Sequence, residues 1–172
     1  MREHRRLFFA LWPDDAVRHA LLHWQTQNLP STVRWQHRAD FHLTLHFLGS
    51  VEASVLPELV KLGMSAPRAG FGMVLDEVGH WARPKVLWCA PSSAGAPLAA
   101  LHRHLGDGLV EIGLTPETRP FKPHVTLARN VKSPPDHRPL APISWAVREW
   151  ALVASVPGPP PHYRCIHRWP LT

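Results

Sequence analysis

Two four-residue segments of the same form carry the side chains best suited to chemistry in this chain. Residues 42–45 read His-Leu-Thr-Leu, and residues 124–127 read His-Val-Thr-Leu. Residues two apart in a β-strand point to the same face, so each segment presents an imidazole beside a hydroxyl. The apolar residues of each segment point to the opposite face. Burial of that apolar face leaves two polar pairs directed into open space, His42 with Thr44 and His124 with Thr126.

Two such pairs facing one another suit acid–base catalysis at phosphorus. An imidazole takes or gives a proton near neutral pH, so one histidine can activate a nucleophile while the other protonates the leaving oxygen. The threonine hydroxyls can donate hydrogen bonds to the non-bridging oxygens of a phosphate, where charge concentrates in the transition state. This scheme needs neither a metal ion nor a cofactor. Because the two segments are nearly symmetric, the residues themselves do not decide which histidine is the acid.

Metal-dependent and ATP-dependent chemistry find little support in the sequence. His42 with His46, or His102 with His104, could be ligand pairs, but the chain has no His-Glu-x-x-His and no Cys-x-x-Cys segment. It also lacks the Gly-rich phosphate loop of ATP-dependent enzymes. We therefore expect no metal and no cofactor.

His46 follows the first segment. Strict alternation places it on the face of His42 and Thr44, where it would be a third polar residue of the cleft. A peripheral or internally hydrogen-bonded histidine is the more common outcome at such a position, and we expect that role.

The elements that must position these residues alternate irregularly along the chain. The sequence predicts strands without a regular βαβ order, which favours an α+β fold with antiparallel sheets. It also predicts three helices, and a proline-rich loop from Asn130 to Pro142. The predicted strands are 6–11, 41–48, 71–78, 85–90, 124–129, 145–155 and 163–169. The predicted helices begin at 13–15, 55 and 98 and end before Pro30, at 64 and at 112.

Each His-x-Thr-x segment follows a helix and a loop, and the two copies lie about half a chain apart. Such internal repetition predicts two lobes related by a pseudo-twofold axis, each placing one segment at a shared cleft.

Composition sets the cellular context. The chain has 172 residues, the size of one compact domain, and 19 basic against 13 acidic residues. A net charge of +6 attracts phosphates and makes a nucleic-acid partner reasonable, although a basic proteome would give the same balance. No apolar run is long enough to cross a membrane, and residues 1–6 lead into no signal-peptide pattern. Two cysteines, Cys89 and Cys165, suit a reducing cytoplasm, so we expect a cytoplasmic protein. Because the internal repeat supplies the twofold relation within one chain, we also expect a monomer without an obligate protein partner.

The blocks around the two segments, Phe41–Gly49 (FHLTLHFLG) and Pro120–Arg129 (PFKPHVTLAR), resemble those of the two-histidine phosphoesterase superfamily. More specifically, the chain resembles the bacterial and archaeal RNA 2',3'-cyclic phosphodiesterases, historically called 2'-5' RNA ligases. The similarity extends nearly end to end, through residues 6–10, 84–88, 152–155 and 163–171.

This resemblance implies a bilobal, duplicated α+β fold in one domain over residues 1–172, with two antiparallel sheets forming a central cleft and helices outside. It makes His42 and His124 the catalytic pair, and Thr44 and Thr126 the hydroxyls that orient the phosphate. The implied reaction opens a terminal ribose 2',3'-cyclic phosphate of RNA, or a related nucleotide, to a 2'-phosphomonoester. His42 would be the acid and His124 the base, and ATP-independent 2'-5' joining of a 2',3'-cyclic end to a 5'-hydroxyl end would be a side activity.

Arg129 stands where the family carries a basic residue that can contact phosphate. Strict alternation places it on the wrong face for substrate binding, so we expect a twist or bulge in the strand, or a position at the rim. Lys122, Arg119 and Arg34 are further candidates for contacts with backbone phosphates, and Trp35 is a candidate for base stacking.

Two alternatives remain open on the sequence alone. One is a non-catalytic module that binds RNA ends or nucleotides in the same cleft. The other is a phosphodiesterase of the same superfamily that acts on 2',5'-linked or small cyclic nucleotides, because all of these substrates present phosphorus beside a ribose hydroxyl.

Overall fold

The computed structural model describes residues 2–134, 136 and 140–172, so part of the predicted proline-rich loop, with Pro135 and Pro139, lies outside the described residues. The described chain forms ten strands and three α-helices. In chain order they are β1 (His4–Leu11), α1 (Asp15–Asn28), β2 (Arg34–Trp35), β3 (Leu43–Glu52), α2 (Leu56–Met64), β4 (Phe71–Leu75), β5 (Glu77–Trp81), β6 (Val86–Ala90), α3 (Ala96–Glu111), β7 (Val125–Arg129), β8 (Ile143–Val147), β9 (Glu149–Ser155) and β10 (Tyr163–Pro170).

Two antiparallel sheets organise these strands. The larger has the order β10-β9-β1-β3-β7-β6-β5, with β2 also pairing with β7, and β4 pairs with β8 in a separate two-stranded sheet. The halves of the larger sheet, β10-β9-β1-β3 and β7-β6-β5, join through one residue pair, Leu43 with Val125. The predicted α+β class with antiparallel sheets is confirmed, and both His-x-Thr-x segments lie at the centre of the larger sheet.

Three of the predicted strands are wrong in extent: the strand predicted at 41–48 is Leu43–Glu52, which begins after His42 and continues past Gly49, and two others are divided. Residues 71–78 divide at Asp76 into β4 and β5, and residues 145–155 divide at Arg148 into β8 and β9. In both places the chain leaves the small sheet and enters the large one across a single residue. No glycine or proline marks either break, so local propensity gave no signal of it.

All three helices pack against one face of the larger sheet, which we call the core face. Their buried apolar residues belong to one hydrophobic core with the inward side chains of the strands, such as Phe9, Leu43 and Leu127. Helix α1 begins after Asp14, whose carboxylate accepts the Val17 N–H at 2.9 Å, an ordinary N-terminal cap. Among the described residues, no helix is long and apolar enough to cross a membrane.

The opposite face, which we call the motif face, carries a small apolar cluster of Phe8, Ala10, Ala151 and Val153, bordered by Trp12, Tyr163 and Cys165. This cluster lies beside the motif strands and forms the apolar floor next to them.

Each motif strand contains one extra residue directly after its threonine. In β3, Thr44 lies opposite Ala10 and His46 lies opposite Phe9, so Leu45 has no partner of its own. In β7, Thr126 lies opposite Trp88 and Ala128 lies opposite Leu87, which leaves Leu127 without one. These are β-bulges, and each reverses the alternation of side chains beyond it.

Candidate active site

The four motif side chains lie on one face of the larger sheet because of a single register. Leu43 stands opposite Val125, and both are fully buried in the core. Continuing this antiparallel register by one residue in each direction sets His42 across from Thr126 and Thr44 across from His124. All four therefore point to the motif face, with the two histidines on one diagonal and the two threonines on the other.

Hydrogen bonds fix the ring of His42 on both sides. Its Nδ1 lies 2.7 Å from the carbonyl oxygen of Asp40, and its Nε2 lies 3.0 Å from the Thr44 Oγ1. Because a carbonyl only accepts, Nδ1 carries the proton, and the neutral ring accepts the threonine hydroxyl proton at Nε2. The ring is 7% exposed, so little water reaches it.

Asp40 anchors the segment that holds His42. Its side chain is fully buried, and its carboxylate accepts the backbone N–H groups of His162 at 2.9 and 3.1 Å and of Tyr163 at 3.2 Å. Asp40 thus orients His42 through its backbone carbonyl and binds the start of β10 through its side chain. There Tyr163 meets the imidazole edge-on, with ring centroids 4.9 Å apart.

His124 is held in the same manner. Its Nδ1 lies 2.8 Å from the carbonyl oxygen of Lys122, two residues earlier, as Asp40 is two residues before His42. In both motifs this contact fixes the proton on Nδ1 and leaves Nε2 as the reactive nitrogen. Trp81 packs against the His124 ring with centroids 4.6 Å apart.

Burial and nearby cations lower the pKa of both histidines. Burial is the main cause for His42, whose pKa falls to about 4, with smaller contributions from the positive charges of Arg129, His124 and Arg18. Burial also lowers the pKa of His124, and the Arg129 charge lowers it further. Both rings are therefore neutral at pH 7 in the unliganded protein, in surroundings that favour an anion.

Arg129 lies on the motif face, as a bulge in the strand predicts. Leu127 and Ala128 both belong to the core, so two successive side chains point to the core face. The next side chain, Arg129, then points to the face of Thr126. Its positive charge lowers the pKa of both His42 and His124, as expected of a cation close to both imidazoles.

His46 does not share the face of His42 and Thr44, so strict alternation was wrong here. The bulge at Leu45 turns His46 to the core face, where its Nε2 donates to the carbonyl oxygen of His102 in α3 at 2.8 Å. The ring stacks on His102 with centroids 4.1 Å apart, and it is 3% exposed. The expected role of an internally hydrogen-bonded histidine is confirmed.

Sequence reasoning missed the aromatic side chains that surround His42. Phe8 lies 4.9 Å from its ring and Trp12 stacks over it at 6.1 Å, in addition to Tyr163. Phe47 is opposite Phe8 and 64% exposed, so it presents an aromatic surface on the motif face. The alternation of β1 could have indicated that Phe8 and Trp12 share a face, but only the tertiary structure brings them and Tyr163 to His42.

The rim candidates divide into three groups. Arg34 lies opposite Arg129 and shares its face. Arg119 forms an exposed ion pair with Glu117 at 2.7 Å, whereas the backbone of Lys122 orients His124. Trp35 lies opposite Ala128 and packs towards the core, so it cannot stack on a base bound at the motif face.

No group of three or more His, Cys, Asp or Glu side chains in the described part of the chain is placed to hold a metal ion. The motif segments and Arg129 together offer two neutral imidazoles, each with its Nδ1 held by a backbone carbonyl, two hydroxyls and a guanidinium. This set suits proton transfer on a ligand with a single negative charge, because the arginine attracts the anion and the anion raises the pKa of the histidines.

Comparison with known proteins gives consistent matches. The family model of the 2'-5' RNA ligase superfamily matches residues 13–158. The RNA 2',3'-cyclic phosphodiesterase of Escherichia coli strain K12 is 34% identical over 100% of this chain and 99% of its own length. Two crystal structures of E. coli LigT, in apo form and complexed with 3'-AMP, are each 32% identical over 99% of both chains, with TM-scores of 0.90 and 0.87.

Proposed function

We infer that this chain, which belongs to the 2'-5' RNA ligase superfamily, is an RNA 2',3'-cyclic phosphodiesterase that hydrolyses a terminal ribose 2',3'-cyclic phosphate to a 2'-phosphomonoester. The observation that carries this proposal is the Leu43–Val125 pair, which sets two imidazoles and two hydroxyls on one face of the sheet. The full-length similarity to an RNA 2',3'-cyclic phosphodiesterase supports the substrate class, and the match to a structure that holds 3'-AMP supports a nucleoside phosphate as the ligand.

The reaction proceeds by displacement at phosphorus. The Nε2 of His124 takes a proton from water as the water oxygen forms its bond to phosphorus. The bond between phosphorus and the ribose 3' oxygen breaks, and His42 donates a proton from Nε2 to that oxygen. The products are a 2'-phosphomonoester and a free 3'-hydroxyl. His124 then releases its proton to solvent, and His42 takes up a proton from solvent, which returns both rings to their starting states.

The substrate itself supplies the protonation state that His42 needs. A pKa of about 4 leaves the free ring neutral at pH 7. The cyclic phosphate brings one negative charge next to the ring and offsets the charge of Arg129, so both effects raise the pKa of His42 in the complex. The Thr44 hydroxyl, which donates to Nε2 in the unliganded protein, turns to a non-bridging oxygen once that nitrogen is protonated.

Thr44, Thr126 and Arg129 stabilise the charge that builds up on the non-bridging oxygens. Hydroxyl and guanidinium donors held by a rigid sheet need no reorganisation during the reaction. The five-membered cyclic ester supplies the energy for its own opening, so the reaction requires no ATP. The histidines, the hydroxyls and Arg129 supply the proton transfer and charge stabilisation for which other phosphodiesterases use a metal ion. Attack by a 5'-hydroxyl end in place of water gives ATP-independent 2'-5' joining as a side activity.

We assign this activity to a single domain over residues 1–172, whose two lobes are the halves of the larger sheet with their packed helices. The internal repeat already supplies both motifs within one chain, so a monomer is sufficient. Two unpaired thiols, Cys89 and Cys165, suit a cytoplasmic protein.

A short RNA ending in 2',3'-cyclic phosphate, incubated with the protein in excess EDTA, tests the proposal. We expect a single product with a 2'-phosphate, identified by chromatography against 2'- and 3'-phosphate standards. His42→Ala and His124→Ala should each lower kcat/KM by about 10² to 10⁴-fold. His19→Ala, which removes an exposed histidine of α1, is the matched control. Tight binding of the RNA end without turnover would contradict the enzymatic assignment and favour a binding module. Turnover restricted to 2',5'-linked or small cyclic nucleotides would contradict the substrate.

A further inference from the structure

A concave feature of the motif face adjoins the reaction centre at Arg129, and its other lining residues take no part in the chemistry described above. It is a surface cavity of about 360 Å³ at the end of β7 and the start of β6. Its lining is polar and strongly basic: Arg34, Pro84, Lys85, Val86, Arg129 and Asn130.

Strand register places Arg34 on the motif face. It lies directly opposite Arg129, and cross-strand partners point to the same side of a sheet. The neighbouring pair, Trp35 with Ala128, faces the core, as alternation requires. The bulge that brings Arg129 to the motif face therefore brings Arg34 with it.

The backbone on both sides of Lys85 is fixed. Its N–H donates to the carbonyl oxygen of Trp81 at 2.9 Å, and its own carbonyl oxygen accepts the Val131 N–H at 3.0 Å. Lys85 and Asn130 both have left-handed backbone conformations, with φ of 67° and 58°. These contacts hold the loop before β6 against the end of β7 and position the lysine at the cavity.

None of the three cations of the cavity forms an ion pair with another described residue. The four ion pairs found in the described part of the chain use Arg2, Arg5, Arg119 and Arg168. Three positive side chains on one concave surface, without a carboxylate partner in that part of the chain, repel one another and favour an anion between them.

The distance from the catalytic residues suits the next phosphate of a nucleic acid. Arg129 is three residues beyond Thr126, which corresponds to about 10 Å along an extended strand, and less where a bulge shortens it. This length is comparable with one nucleotide of an extended single strand. The cavity therefore lies about one nucleotide from a terminal cyclic phosphate at Thr126, with Arg129 between the two.

We propose that this cavity is a subsite for the phosphodiester adjacent to the reacting end of an RNA, with Arg34 and Lys85 as its specificity-determining cations. The proposal rests on the function proposed above and refines its substrate class. A substrate with two phosphates engages the subsite, whereas a cyclic mononucleotide leaves it empty.

Two substrates separate this subsite from the reaction centre. One is adenosine 2',3'-cyclic phosphate, and the other is the adenylyl dinucleotide that ends in the same cyclic phosphate. In Arg34→Gln and in Lys85→Gln, we expect the ratio of kcat/KM for the dinucleotide to that for the mononucleotide to fall about tenfold. The double variant should lower the ratio further, and each lost contact should reduce the salt dependence for the dinucleotide by about 0.7 in the log–log slope.

Arg103→Gln is the matched control, because it removes an exposed cation of α3 on the other side of the sheet. It should leave the ratio unchanged. The subsite assignment is overturned if the Arg34 and Lys85 variants lose equally on both substrates, or if Arg103→Gln lowers the ratio as much. Arg34 and Lys85 are exposed, and unchanged melting temperatures would show that their variants fold.

A binding measurement distinguishes failure of the subsite from failure of the proposed reaction. Hydrolysis of either substrate by the unmodified protein requires the reaction centre, so failure to hydrolyse both the mononucleotide and the dinucleotide would contradict the proposed function. In that case calorimetry with the 2'-phosphate products still tests the cavity. The dinucleotide product should bind about tenfold tighter than adenosine 2'-phosphate, and Arg34→Gln should remove that advantage. Equal affinities would refute the subsite.

Discussion

Phe47 and Arg129 occupy equivalent positions in the two halves of the sheet. Each lies five residues after the histidine of its motif and directs its side chain to the motif face after a one-residue bulge. Phe47 presents an exposed aromatic ring there, and Arg129 presents a guanidinium. The duplicated framework is therefore chemically asymmetric, because its first half offers an apolar surface where its second half offers a positive charge.

Arg129 should matter both as a phosphate ligand and as a charge that lowers the pKa of two histidines. We expect Arg129→Gln to reduce kcat about 10² to 10³-fold, as loss of a donor to a developing oxyanion does. Removing its charge should also raise the pKa of free His42 and His124, because that charge lowers both. The acidic limb of the kcat/KM profile should therefore move to higher pH. A variant with lower activity and an unmoved pH profile would contradict the claim that the Arg129 charge lowers the pKa of the two histidines.

The division of roles between the histidines is testable with a modified leaving group. A substrate with sulfur in place of the bridging 3' oxygen expels a thiolate, which needs no protonation. His42→Ala should lose about 10² to 10⁴-fold on the oxygen substrate and recover most of that loss on the sulfur substrate. His124→Ala should recover little, because it lacks the base. The opposite pattern of recovery would reverse the two assignments.

The sequence predicted the motif residues, and the position of Arg129 indicated a twist or bulge in the second motif strand, but nothing indicated the bulge in the first. His42, Thr44, His124 and Thr126 could be predicted to share a face, since alternation holds over two residues. Whether the two segments meet depends on the Leu43–Val125 pair, and such long-range register has no local signal.

Alternation fails beyond each threonine, which is why His46 was placed on the wrong face. An extra residue in a strand is set by the partner strand and by packing, and neither Leu45 nor Leu127 differs in type from an ordinary strand residue. The contacts of Asp40 with β10 could not be predicted from the sequence either, because they join segments 122 residues apart.

Burial of neutral His42 should make the protein sensitive to acid. Its pKa is about 4 in the folded protein, against an ordinary value near 6.5. Between these two pH values the unfolded chain binds the proton and the folded protein does not, so the free energy of unfolding decreases as pH falls through this range. The contribution of His42 is about 3 kcal/mol in total, at 1.36 kcal/mol per pKa unit.

His42→Asn is the variant that isolates this contribution. Its amide can donate to the Asp40 carbonyl as Nδ1–H does, but it does not titrate. Denaturant unfolding at a series of pH values should give a shallower decrease from pH 6.5 to pH 4 for the variant than for the unmodified protein. The other buried histidines contribute equally to both curves and cancel in the difference. Parallel curves would refute the assignment of this acid sensitivity to His42.

His46 should be dispensable for activity, since its side chain lies on the core face against α3. His46→Leu fills a similar volume and removes a buried Nδ1 that has no hydrogen-bond partner among the described residues. We expect kcat/KM within a factor of about three of the unmodified protein, in contrast to the 10² to 10⁴-fold loss for a catalytic histidine. The measurement is kcat/KM of His46→Leu and of His42→Ala on the same cyclic phosphate substrate. A loss of 100-fold or more in His46→Leu would place His46 in the reaction.

Asp40 should act as a positioning residue whose effect on catalysis passes through His42. Its carboxylate accepts N–H groups of His162 and Tyr163, and Asp40→Asn replaces one of its oxygens by a donor facing those groups. The lost hydrogen bonding in a buried site should cost about 1–3 kcal/mol of stability. Because Tyr163 contacts the His42 ring, we expect a lower kcat with little change in KM.

Asp76→Asn is the control for a merely structural effect. The Asp76 carboxylate also accepts a backbone N–H, from Ser92 at 2.7 Å, but it lies in the turn between β4 and β5. Its variant should lose stability without a matching loss in kcat. Equal kinetic effects of the two substitutions, after correction for the fraction folded, would mean that Asp40 supports the fold alone. A selective loss of kcat in Asp40→Asn would show that the first residues of β10 help to orient His42. The chain's last strand would then contribute to catalysis by its first motif.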